Sequence, residues 1–146
     1  MKNELLGMWR EGRSRFTQVL DKALASDLSK RNGDSPNSAG FLIRHIAEVE
    51  LLFAKNVFGL TEAKIIAKTL IAGKDTGEWT NLEELKRLAE YSAEMLEKAI
   101  SLQENWDEVI ETKEFGKKSK AEALGRITTH TAYHAGQLAL VLKYGK

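Results

Sequence analysis

The scarcity of proline is the feature that most constrains the fold of this chain. Proline occurs once among 146 residues, at Pro36, and no other residue interrupts a helix as strongly. Apolar residues recur at intervals of three and four over most of the sequence, which is helical periodicity. Too few segments alternate with period two to build a sheet. We therefore predict an all-α fold, a four-helix bundle that forms a single domain over residues 1–146.

Helix boundaries follow from the local signals. Ser35 is a candidate N-cap for a helix that has Pro36 in its first position, and Gly59 is a natural residue to follow its end. Both Thr80 with Glu83 and Ser119 with Glu122 have the spacing of a capping box. The segment 103–118 mixes β-branched and aromatic residues with turn formers, so a small hairpin is expected before the last helix. The predicted helices, of which the third is short, cover residues 2–28, 36–58, 61–72, 80–102 and 119–143.

Charge and composition exclude several classes of function. The formal net charge of +1 gives no electrostatic case for binding nucleic acid or an anionic membrane. Without cysteine the chain has no disulfide, no thiolate ligand and no cysteine nucleophile. No segment approaches about 18 continuous apolar residues, and the N-terminus lacks the apolar core of a signal peptide. We expect a cytoplasmic protein without a nucleic-acid or membrane partner.

All three histidines of the chain fall into one pattern. His130 and His134 are one helical turn apart, so their rings project from the same face of the last helix. His45 lies among apolar residues in the middle of the second helix and is expected at or near the bundle interior. Helical bundles build metal sites from inward side chains on facing helices. The alternative is that the three imidazoles are hydrogen-bonded core residues, because an HxxxH pair alone is a weak signal.

The neighbours of the histidine pair favour the metal site and exclude one enzyme class. His130, Tyr133, His134 and Gln137 share a face of a helix whose C-terminal part is otherwise apolar. Four polar side chains on an inward face need partners, and a shared cation supplies them. In zinc proteases with the HExxH motif, the glutamate after the first histidine is the general base. Thr131 stands at that position, so the motif does not indicate a peptidase.

The whole pattern resembles the DinB-like (damage-inducible B) superfamily of four-helix-bundle metalloproteins. The resemblance spans almost the entire chain. It rests on a tryptophan-containing first helix (GMWREGRSRF), a second helix with a histidine (SAGFLIRHIAEVELLF), a short connecting helix and the closing HTAYHAGQLALVLKYG. The resemblance implies that His45, His130 and His134 bind a divalent metal. It also implies a homodimer, and a place among the family's thiol-dependent S-transferases, its proposed metal-dependent hydrolases, or its many members with no assigned activity.

Three neutral imidazoles would leave coordination positions of a divalent ion open, as in catalytic zinc sites. Imidazole suits several metals, of which zinc or nickel is our expectation. The open position could take water or a thiol, and a thiol would have to be an exogenous low-molecular-weight molecule because the chain has no cysteine. The alternative function is a non-catalytic metal-binding stress-response or binding module that dimerises.

Other residues near the histidines have two interpretations each. Glu48 is a candidate general base if it faces the metal, or it pairs with Arg44 on the outer face of the helix. Glu50, further round the helix, is expected in solvent. Tyr133 is either a hydrogen-bond donor to substrate or a packed core aromatic. Gln137 either orients His134 or a bound water, or makes a capping or interhelical hydrogen bond.

Overall fold

The computed structural model describes residues 1–146 and contains four long helices, one short helix and one hairpin. Helix α1 packs mainly against α5, and α2 packs against both α4 and α5, so the four long helices form one bundle. The predicted all-α bundle with a short extra helix and a small hairpin is confirmed. The elements in chain order are α1 (Lys2–Asp21), α2 (Ala39–Leu52), α3 (Lys68–Ala72), α4 (Leu82–Ser101), β1 (Val109–Thr112), β2 (Gly116–Ser119) and α5 (Lys120–Tyr144).

Side-chain caps fix where three of the helices begin. The predicted box at the start of α5 is present: the Ser119 hydroxyl accepts from the Glu122 amide at 3.1 Å, and the Glu122 carboxylate accepts from the Ser119 amide at 2.8 Å. The predicted box before α4 is wrong, because Asn81 caps that helix. Asn81 directly precedes Leu82 and is itself a preferred N-cap residue.

The start of α2 also differs from the prediction. The N-cap is Ser38, whose hydroxyl accepts from the Phe41 amide at 3.2 Å, and not Ser35. A β-bridge between Arg31 and Ser38 closes the turn that precedes it. Ser38 also donates its amide to the carboxylate of Asp75 at 2.8 Å. These tertiary contacts place the helix start three residues later than the local signal at Pro36.

Two helices end or begin elsewhere than predicted. Helix α1 stops at Asp21, and a 3₁₀ turn at Ala25–Asp27 follows, in which the Asp27 carboxylate accepts from the Leu24 amide at 2.9 Å. The helix predicted over 61–72 is reduced to α3 at its C-terminal end. After α2 the chain makes a π-helical turn at Phe53–Val57 and reverses at Gly59, whose φ of +76° suits glycine.

The hairpin predicted within residues 103–118 is confirmed, with its second strand running to Ser119. Strands β1 and β2 are antiparallel, with Val109 opposite Ser119 and Thr112 opposite Gly116. Gly116 has a φ of +77°, which accounts for a glycine at the tight turn. The hairpin thus ends at the capping residue of α5.

The core consists of two apolar clusters along the bundle axis. One surrounds Trp9 and Trp106, and the other surrounds Phe16 and Trp79. All three tryptophans are buried. The clusters alone would need no metal to hold the bundle together.

A buried ion pair crosses the bundle, and this corrects the expectation that Glu50 lies in solvent. The Glu50 carboxylate, which is fully buried, accepts from the Arg13 guanidinium at 3.2 and 3.3 Å. It also accepts from the hydroxyls of Ser92 at 2.8 Å and Thr131 at 3.3 Å. These groups come from α1, α2, α4 and α5, so one carboxylate joins the four long helices.

Candidate metal centre

The three histidines of the chain meet between α2 and α5. The ring centroids of His45 and His130 are 5.1 Å apart, those of His45 and His134 4.9 Å, and those of His130 and His134 4.4 Å. One nitrogen of each ring lies within 4.8 Å of the nitrogens of the other two. Zinc binds imidazole nitrogen at about 2.0–2.1 Å, so the three nitrogens would have to draw closer together to share one ion. The group could hold a metal ion.

Burial keeps these imidazoles neutral. All three side chains are half-buried. Burial lowers the pKa of His45 to about 4, with a smaller contribution from His134. Burial lowers the pKa of His130 to about 3, helped by His134, His45 and Arg126. A neutral imidazole keeps one lone pair, which is what a metal ligand requires.

Gln137 fixes the tautomer of His134. Its Oε1 lies 2.7 Å from Nδ1 of His134. An amide oxygen only accepts, so Nδ1 carries the proton and Nε2 holds the lone pair. Burial lowers the pKa of His134, while the hydrogen bond to Gln137 raises it. The hydrogen bond to His134 agrees with the first of the two interpretations of Gln137, in which its side chain orients that ring.

His130 has a buried nitrogen that lacks a protein partner. Its Nδ1 is inaccessible and makes no hydrogen bond, whereas buried polar atoms are nearly always paired. The ring stands against the other two imidazoles and not against a carbonyl or carboxylate. A histidine acting purely as a hydrogen-bonded core residue would satisfy this atom. The chemistry of the donor set therefore fits a cation.

Glu48 is buried but makes no hydrogen bond to an imidazole. Its Oε2 forms a close ion pair with Arg44, the i, i+4 partner that the sequence offered. Its Oε1 accepts from the amide of Thr69 at 2.9 Å and from the hydroxyl of Thr69 at 2.6 Å. Glu48 is fully buried. Its pair with Arg44 therefore does not lie on an outer, solvated face of the helix. Both carboxylate oxygens are occupied.

Thr69 is a residue of the site that sequence reasoning missed. Its hydroxyl oxygen lies 3.4 Å from Nδ1 of His45, which is longer than the usual 2.9–3.0 Å for such a bond. Thr69 is buried in α3. No motif marks it, because its place beside His45 depends on the path of the loop between α2 and α4.

Tyr133 lies at the edge of the site and is not a core aromatic. Its side chain is 66% exposed, and its ring centroid is 5.2 Å from that of His134. The interpretation as a packed core residue is wrong, since the residue lies on the outer side of α5. Its hydroxyl is accessible from solvent beside the histidines. On the other side, Phe41 stacks on His45 with centroids 5.7 Å apart.

A cavity lies between α2, α3, α4 and the loop before α4. Its volume is about 600 Å³, and no histidine lines it. Of the residues described around the histidines, only Arg44 lines this cavity. Its other walls come from α3, α4 and the loop before α4. The lining residues are Arg44, Lys68, Glu78, Trp79, Asn81, Glu84, Leu85, Arg87 and Leu88.

Comparison with known families agrees with the fold. A family model of the DinB superfamily matches residues 8–138. The chain therefore belongs to the DinB superfamily, which confirms the resemblance inferred from its helices and histidines. No curated protein and no solved structure gives a significant match. None of the helices is both long enough and apolar enough to cross a membrane.

Proposed function

We propose that the protein is a metal-dependent enzyme that acts on a small molecule through a divalent ion held by His45, His130 and His134. The observation that carries the proposal is the convergence of three half-buried imidazoles from two facing helices. Three protein ligands leave a position for substrate, as in catalytic zinc sites. Zinc or nickel suits the imidazole donors. A bound ion would lower the pKa of a thiol or a water molecule at that position.

Thiol-dependent S-transfer is the reaction we favour over hydrolysis. Glu48 was the candidate general base, but its two oxygens are engaged by Arg44 and Thr69. No carboxylate hydrogen-bonds to any of the three histidines, whose partners are Thr69 and Gln137. A thiol bound at the open position needs less help from a base than water does, because its own pKa is lower. The thiol would be an exogenous low-molecular-weight molecule, since the chain has no cysteine.

Tyr133 and Gln137 would assist in different ways. Tyr133 would donate a hydrogen bond to a substrate that enters from solvent, a role supported by its exposure and by its ring lying beside His134. Gln137 would accept a hydrogen bond from Nδ1 of His134 and so leave the lone pair on Nε2 free to bind the metal. Glu48 retains no free oxygen for proton transfer in this arrangement.

Turnover measurements test the enzymatic proposal. The zinc- or nickel-loaded protein would be given electrophiles with a panel of low-molecular-weight thiols, and separately esters and amides in water. We expect metal-dependent turnover with a thiol, and its loss in His134→Ala. Turnover of esters or amides alone would point to hydrolysis. Metal binding without turnover on either panel would support the alternative, a non-catalytic metal-binding stress-response or binding module.

We also propose that the protein is a cytoplasmic homodimer that binds neither nucleic acid nor membrane. Leu140 and Tyr144 lie exposed one turn apart on α5, and Tyr133 lies exposed on the same face two turns before Leu140. Such a face suits contact with a second copy. The near-zero net charge supports the lack of a nucleic-acid or membrane partner. The absence of cysteine fits a cytoplasmic location. Light scattering of the purified protein tests the dimer, and a monomer mass would contradict it.

A further inference from the structure

Glu48 is a buried charge whose position needs an explanation. The side chain is fully buried on α2, one turn after Arg44 and three residues after His45. Burying a carboxylate is costly unless charged and hydrogen-bonding partners surround it. Arg44 supplies the charge, and the amide and hydroxyl of Thr69 supply two hydrogen bonds to the same oxygen. These bonds fix α3 against α2 at the level of His45.

The chemistry of these groups sets the direction of the hydrogen bonds. An ionised carboxylate only accepts, so the single hydroxyl proton of Thr69 points to Glu48. The oxygen of Thr69 is then left as an acceptor toward Nδ1 of His45, at 3.4 Å. The proton of a neutral His45 accordingly lies on Nδ1, and its lone pair lies on Nε2.

We propose that Thr69, held by Glu48, is a positioning residue that sets the tautomer and orientation of His45 as a metal ligand. This inference rests on the proposed metal site. It gives His45 the same arrangement that Gln137 gives His134, with Nδ1 hydrogen-bonded and the lone pair on Nε2. Partners of this kind raise the basicity of a ligating histidine and hold its ring. Glu48 acts through Thr69 and has no direct contact with the site.

A purely structural role is the competing explanation. In that case Thr69 and Glu48 only anchor the short helix α3, and the 3.4 Å approach to His45 carries no consequence. Thr69→Val removes the hydroxyl at nearly constant shape, while Thr69→Ser restores it. Thr131→Val is the matched control, because Thr131 is equally buried and donates to a glutamate, Glu50, without contacting a histidine ring nitrogen.

The test measures zinc affinity by competition with a chromophoric chelator. We expect Thr69→Val to weaken zinc binding by about 10–100-fold, the usual loss for such partners. Thr69→Ser should recover the affinity, and Thr131→Val should keep it while lowering stability. If Thr69→Val binds zinc as tightly as the parent, or loses no more affinity than Thr131→Val, the proposal is overturned. Thr69→Ala takes its place, with the same two outcomes, if the valine variant does not fold.

A second readout does not depend on metal. Long-range ¹⁵N–¹H correlation spectra of the metal-free protein report which nitrogen of His45 carries the proton. The parent and Thr69→Ser should show the Nδ1–H tautomer, and Thr69→Val should show a mixture. An Nε2–H tautomer in the parent would overturn the inference even if zinc binds. If instead the parent protein binds no zinc but shows the Nδ1–H tautomer, the metal site is refuted. The hydrogen bonds from Glu48 through Thr69 to His45 would then stand without it.

Discussion

At the scale of single residues, the buried pair of Arg13 and Glu50 carries the clearest energetic consequence. Each charge is compensated mainly by the other, and the pair lies away from solvent. Removing one partner from a buried pair leaves the other charge uncompensated, which is far more costly than losing an exposed pair. Arg10, on the same helix, makes an exposed pair with Glu97 and offers a direct comparison.

We predict that Arg13→Met lowers the free energy of unfolding by about 3–5 kcal/mol. Arg10→Met, the matched control, should leave it almost unchanged, because the pair with Glu97 is exposed. Urea unfolding followed by circular dichroism measures both. Equal, small losses for the two variants would show that Glu50 is not buried as described.

The histidines also make stability depend on pH when metal is removed by a chelator. In the folded state the pKa of His45 is about 4 and that of His130 about 3, whereas histidine in an unfolded chain has a pKa of about 6.5. As the pH falls below the unfolded value, the unfolded chain takes up protons first. The stability given by a neutral histidine is therefore complete above about pH 6.5 and is lost as the pH falls toward the folded pKa.

We expect each of these histidines to lower the unfolding free energy by at most about 1.4 kcal/mol per pH unit between pH 6.5 and 4. Carboxylates titrate in part of this range, so the measured quantity is the difference between the parent and His130→Leu. The variant should show the shallower slope in urea unfolding at successive pH values. Identical slopes would contradict the depressed pKa of His130.

At the scale of secondary-structure elements, the packing of α2 against the loop before α4 is tight. A Cβ at Gly40 would overlap the carbonyl oxygen of Trp79, a backbone atom that cannot rotate away. At Gly125, in α5, a Cβ would meet nothing within 4 Å. Glycine at position 40 is thus a requirement of packing, while at position 125 it only weakens the helix.

We predict that Gly40→Ala destabilises the protein by about 1–3 kcal/mol or more, as overpacking does. Gly125→Ala should stabilise it by about 0.5–1 kcal/mol through helix propensity. Thermal unfolding of the two variants measures the contrast. A Gly40→Ala variant as stable as the parent would mean that the loop at Trp79 yields, and the described contact would be wrong.

Element boundaries show which local signals predict structure and which do not. Ser119 and Glu122, three residues apart, accept hydrogen bonds from each other's backbone amides. The start of α5 could therefore be predicted from sequence alone. The start of α2 could not, because Ser38 is selected by a bridge to Arg31 and a bond to Asp75. Contacts between residues distant in sequence decided that boundary.

At the scale of the whole molecule, the parts of the site that follow from local patterns could be predicted, and those that depend on contacts distant in sequence were missed. His130 and His134 share a helix face by geometry, and the apolar neighbours of His45 placed it toward them. Thr69 could not be predicted, because it reaches His45 only through the loop between α2 and α4. The burial of Glu50 was likewise hidden, since it depends on Arg13 of another helix.

The central claim is that His45, His130 and His134 bind one divalent ion, and elemental analysis of untagged protein purified without chelators tests it most directly. Gln103 gives a matched control, since its buried amide donates to backbone carbonyls and touches no histidine. We predict near-stoichiometric zinc or nickel in the parent and in Gln103→Leu, and its loss in His130→Ala, whose fold should persist because neither apolar cluster of the core includes His130. A His130→Ala variant that retains as much metal as the parent would contradict the account.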